Sequence, residues 1–315
     1  MQVINRHEDI RLERPSVVAL GNFDGVHIGH RVILDDAVRI AREKDALAVC
    51  YTFSNHPLNF FKCMIGKEEE CIKLICTEEE KLKILEDIGF DVVINIQFDE
   101  SIMKMSAHGF VHEILHERCK CICACCGFNY TFGVKAEGNV DYLRSEGKKL
   151  GMDVSILEPV TIDGMVVSST EIRRLLAAGE MEMADKMLGR PYTLTGIVGH
   201  GEHLGTKIGF PTMNFNAPTT MALPPNGVYF TRAEIDGKLY PAITNIGFKP
   251  TVGGKYKTVE TNMLDFSGDV YGEEVRVQFL YFERPEMKFG SVEELKEMIA
   301  KNVQSAIDYH REHLL

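Results

Sequence analysis

Between residues 16 and 179, short and nearly continuous apolar runs alternate with amphipathic segments, and that alternation restricts the folds open to the chain. The strand-like runs are SVVALG, ALAVCYTF, DVVINI, CICACCG and DVSILEPV. Between and after them come IGHRVILDDAVRIAREK, TEEEKLKILEDIG, SAHGFVHEILHERC, VDYLRSEGKKLG and SSTEIRRLLAAG, each with helical periodicity. Strands apolar on both faces need cover on both, and the intervening helices supply it. The pattern therefore predicts an α/β, Rossmann-like domain on a parallel sheet. In such sheets ligands bind beyond the carboxyl ends of the strands. Thr77 with Glu80 three residues later marks one helix start as a capping box.

After EMEMADKMLGRPY the pattern changes. TLTGIVGH, GVYFTRAEI, KLYPAITNIG, TVETNMLDF and EVRVQFLYF are separated by Gly, Pro and Asp turns. They predict an antiparallel sheet closing into a barrel. A C-terminal helix follows Ser291, with Glu294 completing another capping box. A length of 315 residues suits two domains, placed at 1–184 and 185–315.

A net charge of −11 argues against nucleic acid as the main partner, because such surfaces are usually basic. It leaves room for small anions, which helix N-termini hold locally. The charged opening MQVINRHEDIRLERP does not read as a signal peptide, and no apolar run is long enough to span a bilayer. The expectation is a soluble cytoplasmic protein without a membrane partner, monomeric or weakly homo-oligomeric.

The chain has nine cysteines, five of them in CKCICACCG. Cys119, Cys121, Cys123 and Cys125 alternate, which in a regular strand puts them on one face, badly placed to bridge one another. The spacing lacks the paired C-x₂-C of a zinc site, so the run reads as small buried hydrophobes in a reducing compartment. HEILH, residues 112 to 116, matches the zinc-protease pattern H-E-x-x-H. It lies in a crossover helix between two strands, so the expectation is a connecting helix and no metal.

GNFDGVHIGH, residues 21 to 30, leaves the first strand and opens a helix. Gly21 and Gly25 permit a sharp turn around Phe23 and Asp24, and Gly29 leaves room between His27 and His30. Free N–H groups at a helix start favour an anion, and two histidines there can donate to phosphate oxygens. The plainer reading is one capping and one surface histidine; the whole arrangement favours a clamp on a nucleotide triphosphate. VSSTEIRRLL opens a second such helix. Ser168 with Glu171 forms a capping-box pattern, leaving Ser169, Thr170 and Arg173 near the N-terminus to reach phosphates.

GNFDGVHIGH with SSTEIR downstream resembles the FMN adenylyltransferase module of bacterial bifunctional riboflavin kinase/FAD synthetases. GFNYTFG, residues 127 to 133, resembles a flavin-site loop of the same module. The resemblance implies a nucleotidyltransferase in which the histidines and a helix N-terminus stabilise the α-phosphate transition state. It also implies that Asn129, where many relatives carry Asp, contacts the flavin.

The second half has no Walker-type loop and no protein-kinase signature. HGEHLGTKIGFPTMNF, residues 200 to 215, has Gly201, Gly205 and Gly209 for close approach to phosphate, with Lys207 and Pro211 in the same stretch. Thr212 and Asn214 offer oxygens suited to Mg²⁺. Glu260 stands in a β-rich run, where a carboxylate is solvated, paired or in use. It is a candidate general base. GFPTMN, NIGFKPT, ETNMLDF, DVYG and RPEMKF together resemble the riboflavin kinase module. By that resemblance Thr212 and Asn214 hold Mg²⁺-ATP and Glu260 activates the ribityl hydroxyl. Relatives usually have Arg where this chain has Thr206, Ala at Met213 and His at Asn262.

The two resemblances imply sequential flavin synthesis with ATP as co-substrate: riboflavin to FMN with release of ADP, then FMN to FAD with release of pyrophosphate. The alternative is that one module is degenerate or serves as a flavin-binding regulator. A sensor needs neither a magnesium site nor a base, so Thr212, Asn214 and Glu260 together argue against it.

Overall fold

A computed structural model describes residues 1–199, 210–251, 254–266 and 268–313. The chain divides into two compact units, Met1–Ser169 and Thr170–Leu315. This division lies ahead of the 184/185 boundary read from the sequence, because the helix Met181–Leu188 packs on strands of the second unit.

The main sheet of the first unit has six strands, beside two short hairpins: β1 (Gln2–Ile4), β2 (Ser16–Leu20), β3 (Leu47–Phe53), β4 (Val92–Ile96), β5 (Cys121–Gly127) and β6 (Asp153–Leu157). They form one sheet in the order β1-β4-β3-β2-β5-β6, and every pairing is parallel. Helix α1 (Ile28–Glu43) buries Ile33, Leu34, Ala37 and Ala41, a stripe at helical spacing. With Leu85 of α3 (Glu78–Ile88) it covers the face bearing Val17, Ala19, Cys50 and Val93. α2 (Pro57–Met64) lies between β3 and α3. The opposite face, with Val18, Leu20, Val49, Tyr51 and Ile94, is covered by Phe110, Ile114 and Leu115. Burying a Leu of this kind contributes about 1.5–3 kcal/mol. Thr77 and Glu80 form the expected capping box at the start of α3.

Three details depart from the sequence reading. β1 is too short to show a pattern, yet it pairs with β4 at the sheet edge. The segment expected as an α-helix over 106–119 begins as an α-turn (Ala107–Gly109) and continues as a π-helix (Phe110–Arg118), closed by a 2.8 Å bond from Cys119 N–H to Ile114 C=O. The cysteines do not share one face. The β2–β5 register shifts between Ser16↔Cys121 and Val17↔Cys123, so an extra residue is accommodated at Ile122. Cys121 therefore packs with Val18 and Leu20, while Cys123 and Cys125 pack on the other side with Val17 and Ala19.

The first unit also has helices α4 (Glu100–Lys104) and α5 (Val140–Leu150); α6 (Ser169–Ala178) leads into the second unit and α7 (Met181–Leu188) follows. Six strands follow: β7 (Tyr192–Ile197), β8 (Met213–Asn216), β9 (Gly227–Ile235), β10 (Lys238–Thr251), β11 (Gly254–Met263) and β12 (Glu274–Pro285). The sheet is antiparallel in the order β7-β12-β9-β10-β11-β8. Just past β7, Gly199 N–H donates to the Asn214 carbonyl at 2.8 Å, joining the two edges and curling the sheet into a barrel. Helix α8 (Val292–His313) sets Val303, Ala306 and Ile307 against Val228, Phe230 and Ile243. Ser291 Oγ accepts the Glu294 N–H at 3.1 Å, and the Glu294 carboxylate reaches back to Gly290 N–H at 2.8 Å, one residue beyond the expected cap.

All nine cysteines are free, seven of them buried; Cys63 is exposed and Cys71 half-buried. A water-soluble thiol reagent should label Cys63 and Cys71 in the native protein and the other seven only after denaturation. Peptide mass spectrometry checks this; rapid native labelling at Cys123 or Cys125 would contradict the packing of β5.

Candidate active sites

Parallel pairing sends the ends of β2, β3 and β5 to one edge of the sheet. The loop from β2 into α1 is strained there. Phe23 and Val26 have φ of 50° and 38°, although both are 1% exposed and Val26 is β-branched. Conformations of this kind cost on the order of 1–3 kcal/mol each and persist where the surroundings over-determine them. Gly25 has φ of 81°, and a Cβ there would lie 2.8 Å from Ile75. The buried Asp24 carboxylate accepts Ile75 N–H at 3.0 Å, pinning the loop from behind.

His27 is the N-cap of α1, and its Nδ1 accepts the backbone N–H of His30 at 3.2 Å. An accepting Nδ1 leaves the ring proton on Nε2. His30 stacks on His27 with centroids 3.5 Å apart and meets the edge of Phe23 at 5.3 Å. Its buried Nδ1 has no hydrogen-bond partner among the described residues. A Cβ on Gly29 would come within 3.2 Å of the His27 ring and 3.5 Å of the Val167 carbonyl. The second motif arrives at the same place: Ser169 Oγ donates to the Asp24 carbonyl at 3.0 Å across 145 residues. Ser168 precedes it; Thr170 and Arg173 follow in the opening turns of α6, which belong to the second unit.

Beside this loop lies a cavity of about 610 Å³, bordered by Gly21, Phe23, His30 and Asn129. Its walls are aromatic, with Phe53, Phe61, Phe98, Tyr130 and Phe132 among them. Sequence reasoning missed these side chains; the available signal was the density of aromatics just after β3, β4 and β5. It also missed Lys81. That residue is 6% exposed, donates to the Phe53 carbonyl at 2.5 Å and sits in a recess with Asn22 and Asp24. Burial pulls its ammonium below the ordinary lysine range, against the nearby Cys76, Cys50, Asp24 and Glu78. Its inward position one turn before Leu85 was the clue.

His112 of the HEILH segment bonds Glu146 Oε2 at 3.1 Å and stacks on His108 at 3.9 Å. Glu146 also takes Lys149 Nζ, and these two bonds, Lys149 first, hold its carboxyl below the usual range. Among the described residues no three His, Cys, Asp or Glu side chains converge as a metal-holding group.

In the second unit β8 lies against β11 with Asn214 opposite Glu260, and Asn245 of β10 faces Glu260 from the other side. Thr212, Glu260 and Asn262 border a cavity of about 330 Å³, together with Asn245, Arg284 and Asn302. Arg284 is fixed by bonds of 3.0 and 2.8 Å to Asn302 Oδ1. Asn214 Nδ2 donates to the Thr212 carbonyl at 3.2 Å, and its buried Oδ1 has no partner among the described residues. That orphaned oxygen, the Thr212 hydroxyl and the Glu260 carboxylate form a set of hard donors that fits Mg²⁺. Gly205, Lys207 and Gly209, expected at the phosphates, lie outside the described residues, as does Thr206; Pro211 is described and exposed.

Comparison with known proteins matches residues 9–171 to the family described as FAD synthetase and residues 188–310 to the family described as riboflavin kinase. The chain is 34% identical to the bifunctional riboflavin kinase/FMN adenylyltransferase of Bacillus subtilis, covering 98% of this chain and 97% of that one. It is 31% identical to the protein of the same description from Escherichia coli K12, covering 93% and 92%. A crystal structure described as a macrolide-efflux protein from Streptococcus pneumoniae superposes with a TM-score of 0.86 at 29% identity, covering 96% of this chain and 97% of that one. No helix among the described residues is long and apolar enough to cross a membrane. Two family matches in the order of the two units, with identity running along nearly the whole length, establish that this chain belongs to the bifunctional riboflavin kinase/FMN adenylyltransferase family.

Proposed function

We propose that the chain makes FAD from riboflavin in two ATP-dependent steps, adenylyl transfer residing ahead of residue 185 and phosphoryl transfer in residues 185–315. The observation that carries the reading is that some residues of each motif set border a cavity of their own: Gly21, Phe23, His30 and Asn129 in the first unit, and Thr212, Glu260 and Asn262 in the second. A chromatographic time course with riboflavin, ATP and Mg²⁺ tests it: FMN should rise first and FAD follow.

In phosphoryl transfer the terminal ribityl hydroxyl attacks the γ-phosphorus of ATP. A new O–P bond forms, the bond to the β-phosphate oxygen breaks, and ADP leaves. A hydroxyl is a weak nucleophile until its proton is accepted; Glu260 and Glu286 both border the cavity, and Glu260 is the one that stands across from Asn214 on the neighbouring strand. Thr212 and Asn214 would hold Mg²⁺, which offsets phosphate charge. In adenylyl transfer the FMN phosphate attacks the α-phosphorus of a second ATP and pyrophosphate leaves. The nucleophile is already an anion, so no base is required. The work is positioning and charge stabilisation by the α1 N-terminus, the His27 Nε2–H and His30, with the aromatic cavity taking the flavin ring.

His30 is held well below the ordinary histidine range, first by burial and then by His27 and Lys81. It is neutral at pH 7. The unfolded chain binds a proton at this residue near pH 6.5 that the native state refuses, so His30 costs native stability as pH falls below that value. Tm of the unaltered protein should drop between pH 7.5 and 5.5, and His30→Gln should flatten part of that slope. An unchanged slope in the variant would show that His30 titrates normally.

Replacing both His27 and His30 by Ala should lower FAD formation from FMN by about 10²–10³, the usual scale for a lost transition-state donor, and leave FMN formation within about twofold. Equal loss of both activities would point to misfolding. Glu260→Gln keeps the size but cannot accept a proton, and should lower FMN formation by about 10²–10⁴ while FAD formation from supplied FMN continues. Wild-type FMN formation by this variant would make Glu260 an ordinary strand carboxylate.

A further inference from the structure

We propose that Asn262 is a positioning residue for phosphoryl transfer: its side-chain amide latches the segment bearing Thr212 to the strand bearing Glu260. The proposal rests on the kinase reading above. The β8–β11 register runs Asn216↔Thr258, Phe215↔Val259, Asn214↔Glu260 and Met213↔Thr261, and there the ladder stops. One step further, Thr212 would stand opposite Asn262, but residues 210–212 are outside any strand. Pro211 has no N–H with which to continue the ladder, and its carbonyl needs a donor from elsewhere. Asn262 supplies one, with Nδ2 at 2.6 Å from the Pro211 oxygen.

The consequence is geometric. Thr212 is bracketed by two side-chain amides, Asn262 on the carbonyl before it and Asn214 on its own carbonyl at 3.2 Å. Asn262 and Glu260 are two residues apart on β11, so they lie on the same face, and both border the cavity with Thr212. The latch therefore sets the distance between the hydroxyl offered to Mg²⁺ and the carboxylate offered to the ribityl hydroxyl. Misplacement of reacting groups by about 1 Å can cost on the order of 10² in rate, so a short, well-placed hydrogen bond here has leverage.

The test compares Asn262→Asp, which keeps the shape but donates nothing, with Asn262→His, which restores a ring N–H. Amide hydrogen exchange over residues 212–216 is measured on the substrate-free chain, and kinase kcat and its Mg²⁺ dependence on the same preparations. Asn262→Asp should exchange about tenfold faster, lose about tenfold in kcat and need more Mg²⁺ for half-maximal rate, with FAD formation from FMN unchanged. Asn262→His should recover most of both effects. Unchanged exchange in Asn262→Asp overturns the latch. Faster exchange with unchanged kinase parameters also overturns the proposal, since Asn262 would then be structural only. If the unaltered chain makes no FMN, the kinase reading fails and takes the catalytic role of the latch with it, while the exchange rates still decide whether the latch exists.

Discussion

Parallel pairing in the first sheet is the constraint on which everything else in that unit depends. Because β2, β3 and β5 run the same way, the loops leaving them emerge at one edge, and residues far apart in the sequence have to meet there. The Ser169–Asp24 bond expresses that directly, tying the end of the unit to its first loop. The strain at Phe23 and Val26 is tolerable because the core fixes both side chains, and the loop leads into the start of α1, where His30 borders the cavity. The second unit solves the same problem by antiparallel register, which sets Asn214 across from Glu260 with a candidate metal oxygen and a candidate base side by side.

An acidic chain that handles polyphosphates has to do so locally. With a net charge of −11 there is no general field to attract ATP. What the first unit offers is a helix N-terminus, a stacked histidine pair whose buried member His30 is neutral, and a buried lysine behind the loop. Neutral donors discriminate by direction more than by charge, which suits a site that must hold an α-phosphorus in line with an incoming phosphate. The aromatic walls of the adjoining cavity complement this polar edge, as a flavin has a flat ring at one end and a phosphate at the other.

Much of this was legible in the sequence because periodicity reports burial. Five of the six parallel strands, two of the three expected capped helix starts and the switch to antiparallel strands follow from the pattern of apolar residues and Gly/Pro punctuation. Where reading failed, the determining contact was not local. The β5 bulge comes from pairing with β2, so no inspection of CKCICACCG could have separated Cys121 from Cys123. β1 is placed by pairing with β4 and by Ile4 in the core, neither of which is local in sequence. His27 and His30 were legible as a pair because a cap and its third residue are local, whereas the aromatic cavity wall is gathered from segments spread over residues 53 to 132. Asn262 drew notice only as a departure from relatives; its bond to Pro211 spans 51 residues and needs the fold to be seen.

The central claim is that one chain performs two different reactions at phosphorus, and isotope tracing tests it most directly. Riboflavin is incubated with the purified chain, Mg²⁺ and ATP labelled at either the γ- or the α-phosphorus, and the flavins are separated. The account predicts that γ-label enters FMN and persists in FAD, while α-label is absent from FMN and enters FAD alone. Flavins that acquire γ-label but never α-label would contradict it, as would α-label appearing in FMN.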